Sequence, residues 1–102
     1  MIIRTGVFSV RPEKRDELVE AMMVWSKIAR QVPGCLTHSF YADLGDAEKI
    51  RFYGEWESEE AQKATSENPR FADLWSVIKA TGATHIESSL RTATLFFDDG
   101  PE

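Results

Sequence analysis

The chain has 102 residues and a formal net charge of −5, from 12 Lys and Arg against 17 Asp and Glu. This length fits one domain and excludes a second domain or a large dinucleotide-binding fold, because a domain typically needs about 100–150 residues. The acidic balance, without a basic run, argues against nucleic acid or an anionic membrane as a partner, and the 42% hydrophobic content indicates a globular protein.

The first predicted elements are a strand over residues 2–10 and a helix that begins near Pro12, a residue that suits the first helical position. Both faces of the strand are apolar, with Ile3 and Val7 on one side and Ile2, Phe8 and Val10 on the other. In the helix, apolar residues recur with helical spacing and predict one buried stripe: Leu18, Met22, Trp25, Ala29 and Val32. Pro33 with Gly34 ends the helix.

Two further strands, over residues 36–42 and 50–56, flank the turn-forming sequence DLGDAE and predict an antiparallel hairpin. The second helical region is predicted to break in two, because Ser58 and then Asn68 each supply a helix start signal. Its second part is amphipathic, with one apolar face made by Phe71, Leu74, Trp75 and Ile78.

Residues 84–97 are predicted to form the last strand, and residues 98–102 an acidic tail after a single domain over residues 1–97. The order β, α, β, β, α, β is typical of the ferredoxin-like α+β class, which has one antiparallel sheet with helices on one face. The other face would expose an apolar patch, which predicts a homodimer through the sheet face. The patch is formed by Ile3, Val7, Tyr41 and Tyr53.

Several other classes are not expected. No apolar run approaches the roughly 18–20 residues that span a bilayer, so we predict no membrane association. Cys35 is the one cysteine, which excludes an intrachain disulfide, and the two histidines stand far apart without a metal-binding pattern. We therefore predict no metal site and a cytoplasmic location.

Three short motifs carry a family resemblance. VPGCL at 32–36, EWESEEA at 55–61 and NPRFADL at 68–74 follow one another in this order on a βαββαβ chain of this length. The chain resembles the antibiotic biosynthesis monooxygenase family over about residues 2–95. The WESEEA segment followed by NPR is most similar to the polyketide anthrone monooxygenase branch.

The resemblance implies a dimeric α+β barrel in which two sheets pack face to face. It also implies a monooxygenase that oxidises a quinol, an anthrone or a similar aromatic polyphenol with O2 and no bound cofactor. In the anthrone branch a tryptophan matching Trp56 lines the pocket and hydrogen-bonds the substrate. Phe52, Gln62 and Ser76 stand where that branch has Asn, Tyr and Arg. Gly6, Thr65 and Trp75 replace the site residues of the haem-degrading branch, which disfavours haem.

Four aromatic residues are candidates to hold the substrate ring, and Trp56 among them is also a candidate catalytic residue: Phe52, Trp56, Phe71 and Trp75. Strand parity directs Trp56 and Phe52 toward the helices, while Phe71 and Trp75 lie four residues apart on the covering helix. These rings are either core or pocket wall. Gly54 removes a side chain from the same face, which predicts open space beside Trp56.

His38 is the candidate proton acceptor, because it alternates with Leu36 and Phe40 and should point inward, where a neutral imidazole can act as a base. A purely structural role is the alternative. His85 is a candidate substrate-binding residue, with simple surface exposure as its alternative. Arg4 could pair with a phenolate or, as a structural ion pair, with Glu87.

Two other functions remain open. A non-catalytic ligand-binding or structural dimer of the same fold would explain the missing Asn, Tyr and Arg equivalents. A polyketide cyclase or isomerase would use the same pocket without consuming oxygen. An enzyme needs a void with at least two convergent polar groups, whereas Phe52 and the tryptophans could fill that void in a degenerate member.

Overall fold

The computed structural model of the protein describes residues 1–92. Its elements, in chain order, are β1 (Ile2–Ser9), a 3₁₀ turn (Pro12–Lys14), α1 (Arg15–Arg30), β2 (Cys35–Ala42), β3 (Lys49–Trp56), α2 (Glu59–Ser66), α3 (Pro69–Ala80) and β4 (Thr84–Thr92). The end of the predicted last strand, residues 93–97, and the predicted tail, residues 98–102, lie outside the described residues.

The four strands form one antiparallel sheet in the order β2-β3-β1-β4, which confirms the ferredoxin-like α+β prediction. The core lies between the helices and one face of the sheet. The buried residues that fill it include Phe8, Leu18, Met22, Ile50, Trp56 and Ile78. These come from β1, α1, β3 and α3, so the predicted strand and helix faces meet as expected.

Local sequence signals set the helix boundaries. Oγ of Ser58 accepts the backbone N–H of Ala61 at 3.2 Å, and Oδ1 of Asn68 accepts that of Arg70 at 3.0 Å. Both caps satisfy N–H groups that the first helical turn leaves free. Gly82 ends α3 with a φ of +77°, a left-handed conformation that favours glycine.

Two β-bulges interrupt the ladder and change which side chains face the helices. In β2 the extra residue is Leu36, which was expected to point inward with His38 but is 52% exposed. In β4 the extra residue is Ile86, so Phe8 pairs with His85. An unbulged ladder would have placed Ile86 opposite Phe8, because side chains alternate strictly along a strand. The bulge thus turns His85 toward the helices.

The second face of the sheet is not covered by any element of residues 1–92. Tyr41 is exposed there, and Tyr53 donates its hydroxyl to Oε2 of Glu55 at 2.7 Å. This hydrogen bond is the main reason why the pKa of Tyr53 is raised to about 12. The predicted apolar patch therefore also contains polar and charged groups.

Candidate functional site

A cavity of about 660 Å³ lies between the helix-facing side of the sheet and the helices α1, α2 and α3. All six predicted site residues line it: His38, Phe52, Trp56, Phe71, Trp75 and His85. Strand parity and helical spacing had placed the four aromatic residues on one interface, and the roles of all six in binding or catalysis stay predictions. All three tryptophans of the chain border this one space.

Trp25 was assigned to the core stripe of α1, but it is only half-buried and lines the cavity. Its ring centroid is 4.6 Å from that of Phe71 and 6.2 Å from that of Trp75. It also stacks against Phe52 at 5.9 Å with an interplanar angle of 16°. Trp25 therefore joins the sheet wall to the α3 wall. Helical spacing alone cannot separate a residue at the edge of a core stripe from one that borders a cavity.

His38 is buried at the β2–β3 side of the cavity, with 1% of its surface exposed. Its Nδ1 lies 3.0 Å from Oγ of Ser26 on α1, which leaves Nε2 as the second ring nitrogen. Burial, followed by the nearby Arg30 guanidinium, lowers the pKa of His38 to about 4. The imidazole is therefore neutral at pH 7 and can accept a proton.

Trp56 contributes a wall of the cavity whose polar atom is already paired. The indole Nε1–H donates to Oγ1 of Thr65 at 2.9 Å, and that hydroxyl donates to the carbonyl of Ala61 at 3.0 Å. Trp56 is 2% exposed, so this chain of hydrogen bonds fixes the ring in the core. A substrate could use the indole N–H only after displacing Thr65.

The expected open space at Gly54 is absent, because the Trp56 ring occupies it. A Cβ on Gly54 would lie 2.5 Å from Cη2 of Trp56 and 2.9 Å from Cζ of Phe52. The missing side chain therefore allows two large rings to pack against the strand backbone. The cavity instead opens beyond these rings, between them and the α2–α3 region.

Gln62 is a buried polar residue that sequence reasoning noted only as a departure from the anthrone branch. It lies on α2, lines the cavity and is 7% exposed. Its amide makes no side-chain hydrogen bond within residues 1–92, yet no fully enclosed polar atom of that range lacks a partner. The amide is therefore accessible from the cavity, where it can both donate and accept a hydrogen bond.

The β1–β4 side of the cavity contains His85 and Arg4. The His85 ring stacks on Phe8 with centroids 4.4 Å apart and planes 4° from parallel. Its Nε2 lies above Gly6, where an added Cβ would come within 2.8 Å. Burial and the charge of Arg4 both lower the pKa of His85, with burial the larger cause.

Arg4 does not form the expected ion pair with Glu87. The register places Glu87 opposite Val7, on the other face of the sheet, whereas Arg4 lies on the cavity face. Its guanidinium is 3.5 Å from Oγ of Ser88. The pairing prediction was wrong because it did not take the strand parity of Glu87 into account.

The arrangement combines an aromatic enclosure with a few polar groups, which suits a flat and largely apolar ligand. Among residues 1–92, no group of three His, Cys, Asp or Glu side chains is placed to hold a metal ion. Over the same range, no helix has the length and apolar character needed to cross a membrane.

Comparison with known proteins gives a family match. The model of the family described as antibiotic biosynthesis monooxygenase matches residues 1–74. A Synechocystis protein named "Uncharacterized protein sll1783" is 27% identical over 73 residues, which are 72% of this chain and 50% of that protein. The match therefore spans about half the length of this relative.

Solved structures share the fold. A Deinococcus radiodurans protein assigned to the antibiotic biosynthesis monooxygenases superposes with a TM-score of 0.88 at 19% identity, over 96% of this chain and 97% of that one. SnoaB, a cofactor-independent oxygenase from Streptomyces nogalater, gives a TM-score of 0.81 at 18% identity, over 94% and 97% of the two chains. At these identities the likeness concerns the fold alone.

Proposed function

The chain belongs to the antibiotic biosynthesis monooxygenase family, and from that premise we propose that it oxygenates a planar aromatic polyphenol with O2 and without a bound cofactor. A quinol or an anthrone is the proposed substrate class. The observation that carries the proposal is the 660 Å³ cavity, in which aromatic rings surround the buried polar side chains of His38 and Gln62. Such a space can hold a flat ring system against aromatic walls, and the bound rings displace water from it.

The substrate itself supplies the electrons in this reaction. Loss of a proton from an anthrone or a quinol gives a delocalised anion, which passes an electron to O2. For an anthrone, the reacting CH2 group loses both hydrogens and gains one oxygen atom, and the second oxygen atom leaves as water. The protein then has to bind the ring system, accept the first proton and stabilise the anion.

His38 is the proposed proton acceptor, through Nε2. For this nitrogen to hold a lone pair, Nδ1–H must donate to Oγ of Ser26, so in this proposal Ser26 is a positioning residue that accepts that hydrogen bond and orients the ring. The lowered pKa of His38 keeps the ring neutral over the physiological range but also makes it a weak base. The attraction between the resulting imidazolium and the substrate anion offsets this weakness in a water-poor cavity.

The aromatic residues are proposed to bind the ring system. Phe52, Phe71 and Trp75 would contact its faces, and Trp56 would close the inner end with its ring while its N–H stays on Thr65. Gln62 would hydrogen-bond a substrate oxygen in place of the missing Tyr equivalent. His85 would bind at the β1–β4 side of the cavity.

Oxygen consumption with an anthrone and with a quinol tests the proposal, with protein-free autoxidation as the blank. We expect the His38→Ala variant to lose about a hundredfold or more of the enzymatic rate, the usual contribution of a general base. Trp56→Phe should lose less than about tenfold, because the ring remains and the lost N–H contacts Thr65 rather than the substrate. His85→Ala should raise KM more than it lowers kcat.

Three outcomes would contradict the proposed function or the role of His38 in it. Equal rates in the wild type and His38→Ala would remove His38 from the mechanism. Tight binding of the aromatic compound without oxygen uptake above the blank would identify a ligand-binding member of the family. Conversion of a polyketide-like compound without oxygen uptake would identify a cyclase or an isomerase.

We also propose that the protein acts in the cytoplasm as a homodimer joined through the uncovered sheet face. That face carries the exposed ring of Tyr41 and a shallow space of about 510 Å³ that is lined by Val7, Tyr41, Tyr53 and Glu87. A second copy would cover these apolar groups. Sedimentation at micromolar concentration should give twice the chain mass of 11.6 kDa, and a stable monomer would contradict the dimer.

A further inference from the structure

Within the described range 1–92, Arg4 is the one arginine that lines the aromatic cavity, and no lysine lines it. Its side chain is half-buried, and its guanidinium has a single long contact, 3.5 Å, to the hydroxyl of Ser88. Among residues 1–92, no carboxylate lies within 4 Å of it. A partly buried cation without a counter-ion attracts an anion more strongly than an exposed one does.

Three other arginines of residues 1–92 are held by protein groups. Arg51 pairs with Asp43 at 3.0 Å, Arg30 donates to the carbonyl of His38 at 3.0 Å, and Arg15 donates to that of Ala47 at 3.1 Å. Arg4 differs from these three both by its place in the cavity and by its lack of an acceptor at a comparably short distance. Four of the five N–H donors of its guanidinium have no protein acceptor among residues 1–92 and are suited to a carboxylate or a phenolate.

His85 lies next to Arg4 on the same wall. The ring is fixed flat on Phe8 and spans Gly6, the residue between Phe8 and Arg4 on this strand face. Burial and the charge of Arg4 lower the pKa of His85. At pH 7 its imidazole therefore adds one N–H donor rather than a second cation. Among residues 1–92, Glu67 is the one carboxylate that lines the cavity, and it lies at the end of α2 without an ion pair to Arg4.

From this geometry we infer that Arg4 and His85 form an anion-binding corner for an ionised oxygen of the aromatic ligand. The oxygen belongs either to a carboxylate on the ring system or to an ionised phenol. The inference rests on the proposed function, because it takes the cavity as the aromatic binding site. It deepens that proposal by making the ligand acidic and by setting its orientation, with the anion at β1–β4 and the rings toward Trp25 and Trp75.

Binding without turnover tests the corner. The quenching of tryptophan fluorescence reports binding directly, because all three tryptophans line the cavity. Under anaerobic conditions, 2-naphthoate is compared with neutral 2-naphthamide for the carboxylate case. For the phenolate case, 4-nitrophenol above its ionisation pH is compared with its methyl ether.

We expect the wild type to bind the anion of at least one pair about tenfold or more tightly than its neutral partner, as a charge-assisted hydrogen bond implies. In Arg4→Gln the preference should fall below about twofold, and in Arg4→Lys it should persist in part, because the charge remains. Arg11→Gln is the matched control, since it removes the same charge from an exposed arginine that contacts Glu13 outside the cavity. It should leave the preference unchanged. The pair that shows the preference identifies the ionised group.

Circular dichroism verifies that each variant is folded, and Arg4→Met provides a second neutral variant if Arg4→Gln does not fold. Equal binding of both members of each pair, or a preference that survives in the neutral variants, overturns the inference. If the wild type takes up oxygen in that case, the proposed monooxygenase function is kept and the anion-binding corner is rejected. An Arg4-dependent preference for the anion without oxygen uptake supports the anion-binding corner and contradicts the proposed monooxygenase activity.

Discussion

On the β2–β3 side of the cavity, His38 and Trp56 are almost fully buried, and each is hydrogen-bonded to a helix side chain, Ser26 or Thr65. On the β1–β4 side, Arg4 and His85 are open to the cavity and make only a long contact and a ring stack. The first side contributes to folding, because Nδ1 of His38 and Nε1 of Trp56 are hydrogen-bonded within the protein. The second side keeps its polar atoms available to a ligand.

The largest expected difference between the two sides concerns stability. Trp56→Ala should lower the free energy of unfolding by about 3–5 kcal/mol, because it leaves a large void in the core and removes the hydrogen bond to Thr65. His85→Ala should cost about 0.5–1 kcal/mol, since it removes only the stack on Phe8. Urea unfolding at pH 7 measures both values. Similar losses in the two variants would show that the sides do not differ in this way.

The pH dependence of stability should separate the two histidines. In the folded protein the pKa of His38 is about 4, below the value near 6.5 of the unfolded chain. The contribution of neutral His38 to the free energy of unfolding is therefore complete above pH 6.5. It is lost as the pH falls toward 4, because the unfolded state takes up the proton first. The total loss is about 3 kcal/mol, with about 2 kcal/mol of it by pH 5.

Unfolding midpoints measured between pH 7 and pH 5 test this, because most carboxylates stay ionised in that range. His38→Gln should flatten the profile, since glutamine can still bond Ser26 but does not titrate. His85→Gln is the matched control on the open side and should change the profile less, because its ring is more exposed. A profile that keeps its slope in His38→Gln would contradict the lowered pKa.

The smallest expected effect comes from two glycines that lie beneath rings on opposite sides. Gly54→Ala should destabilise the protein by about 1–3 kcal/mol, because the new methyl group would overlap the fixed rings of Trp56 and Phe52. In Gly6→Ala the nearest atom is Nε2 of His85, the free end of a more exposed side chain, so the loss should be about 1 kcal/mol or less.

Gly6→Ala should instead displace the imidazole, which NMR signals of the His85 ring would report. A larger stability loss in Gly6→Ala than in Gly54→Ala would reverse the comparison. In that case the loss would come from a steric clash between the methyl group and the backbone carbonyl oxygen of Glu87, which lies 3.2 Å from the added Cβ.

The features predicted well from sequence depend on local chemistry or on simple periodicity. The caps at Ser58 and Asn68, the hairpin of β2 and β3 and the order of elements all follow from short-range signals. The inward direction of His38 also follows, because the bulge in β2 lies before it and leaves its parity unchanged.

The features that were missed depend on contacts between elements distant in sequence. The filled space at Gly54, the Trp56–Thr65 hydrogen bond and the exposure of Leu36 each require the packed arrangement of sheet and helices. Helical spacing predicts that Trp25 is a core residue. It lines the cavity only because α3 packs across it. The sequence showed that Gln62 is a polar residue where the anthrone branch has Tyr. It did not predict that Gln62 is buried without a side-chain hydrogen bond among residues 1–92.

The bulge at Ile86 also makes one position of β4 unusually tolerant of a change in chain length. Deleting a residue from a paired strand normally turns every later side chain to the opposite face. Here Glu87 pairs with Val7 and His85 with Phe8, so joining His85 directly to Glu87 would produce a regular ladder with both partners kept. Relatives that are one residue shorter at this point could therefore retain the same cavity wall, and a sequence comparison should allow a gap there.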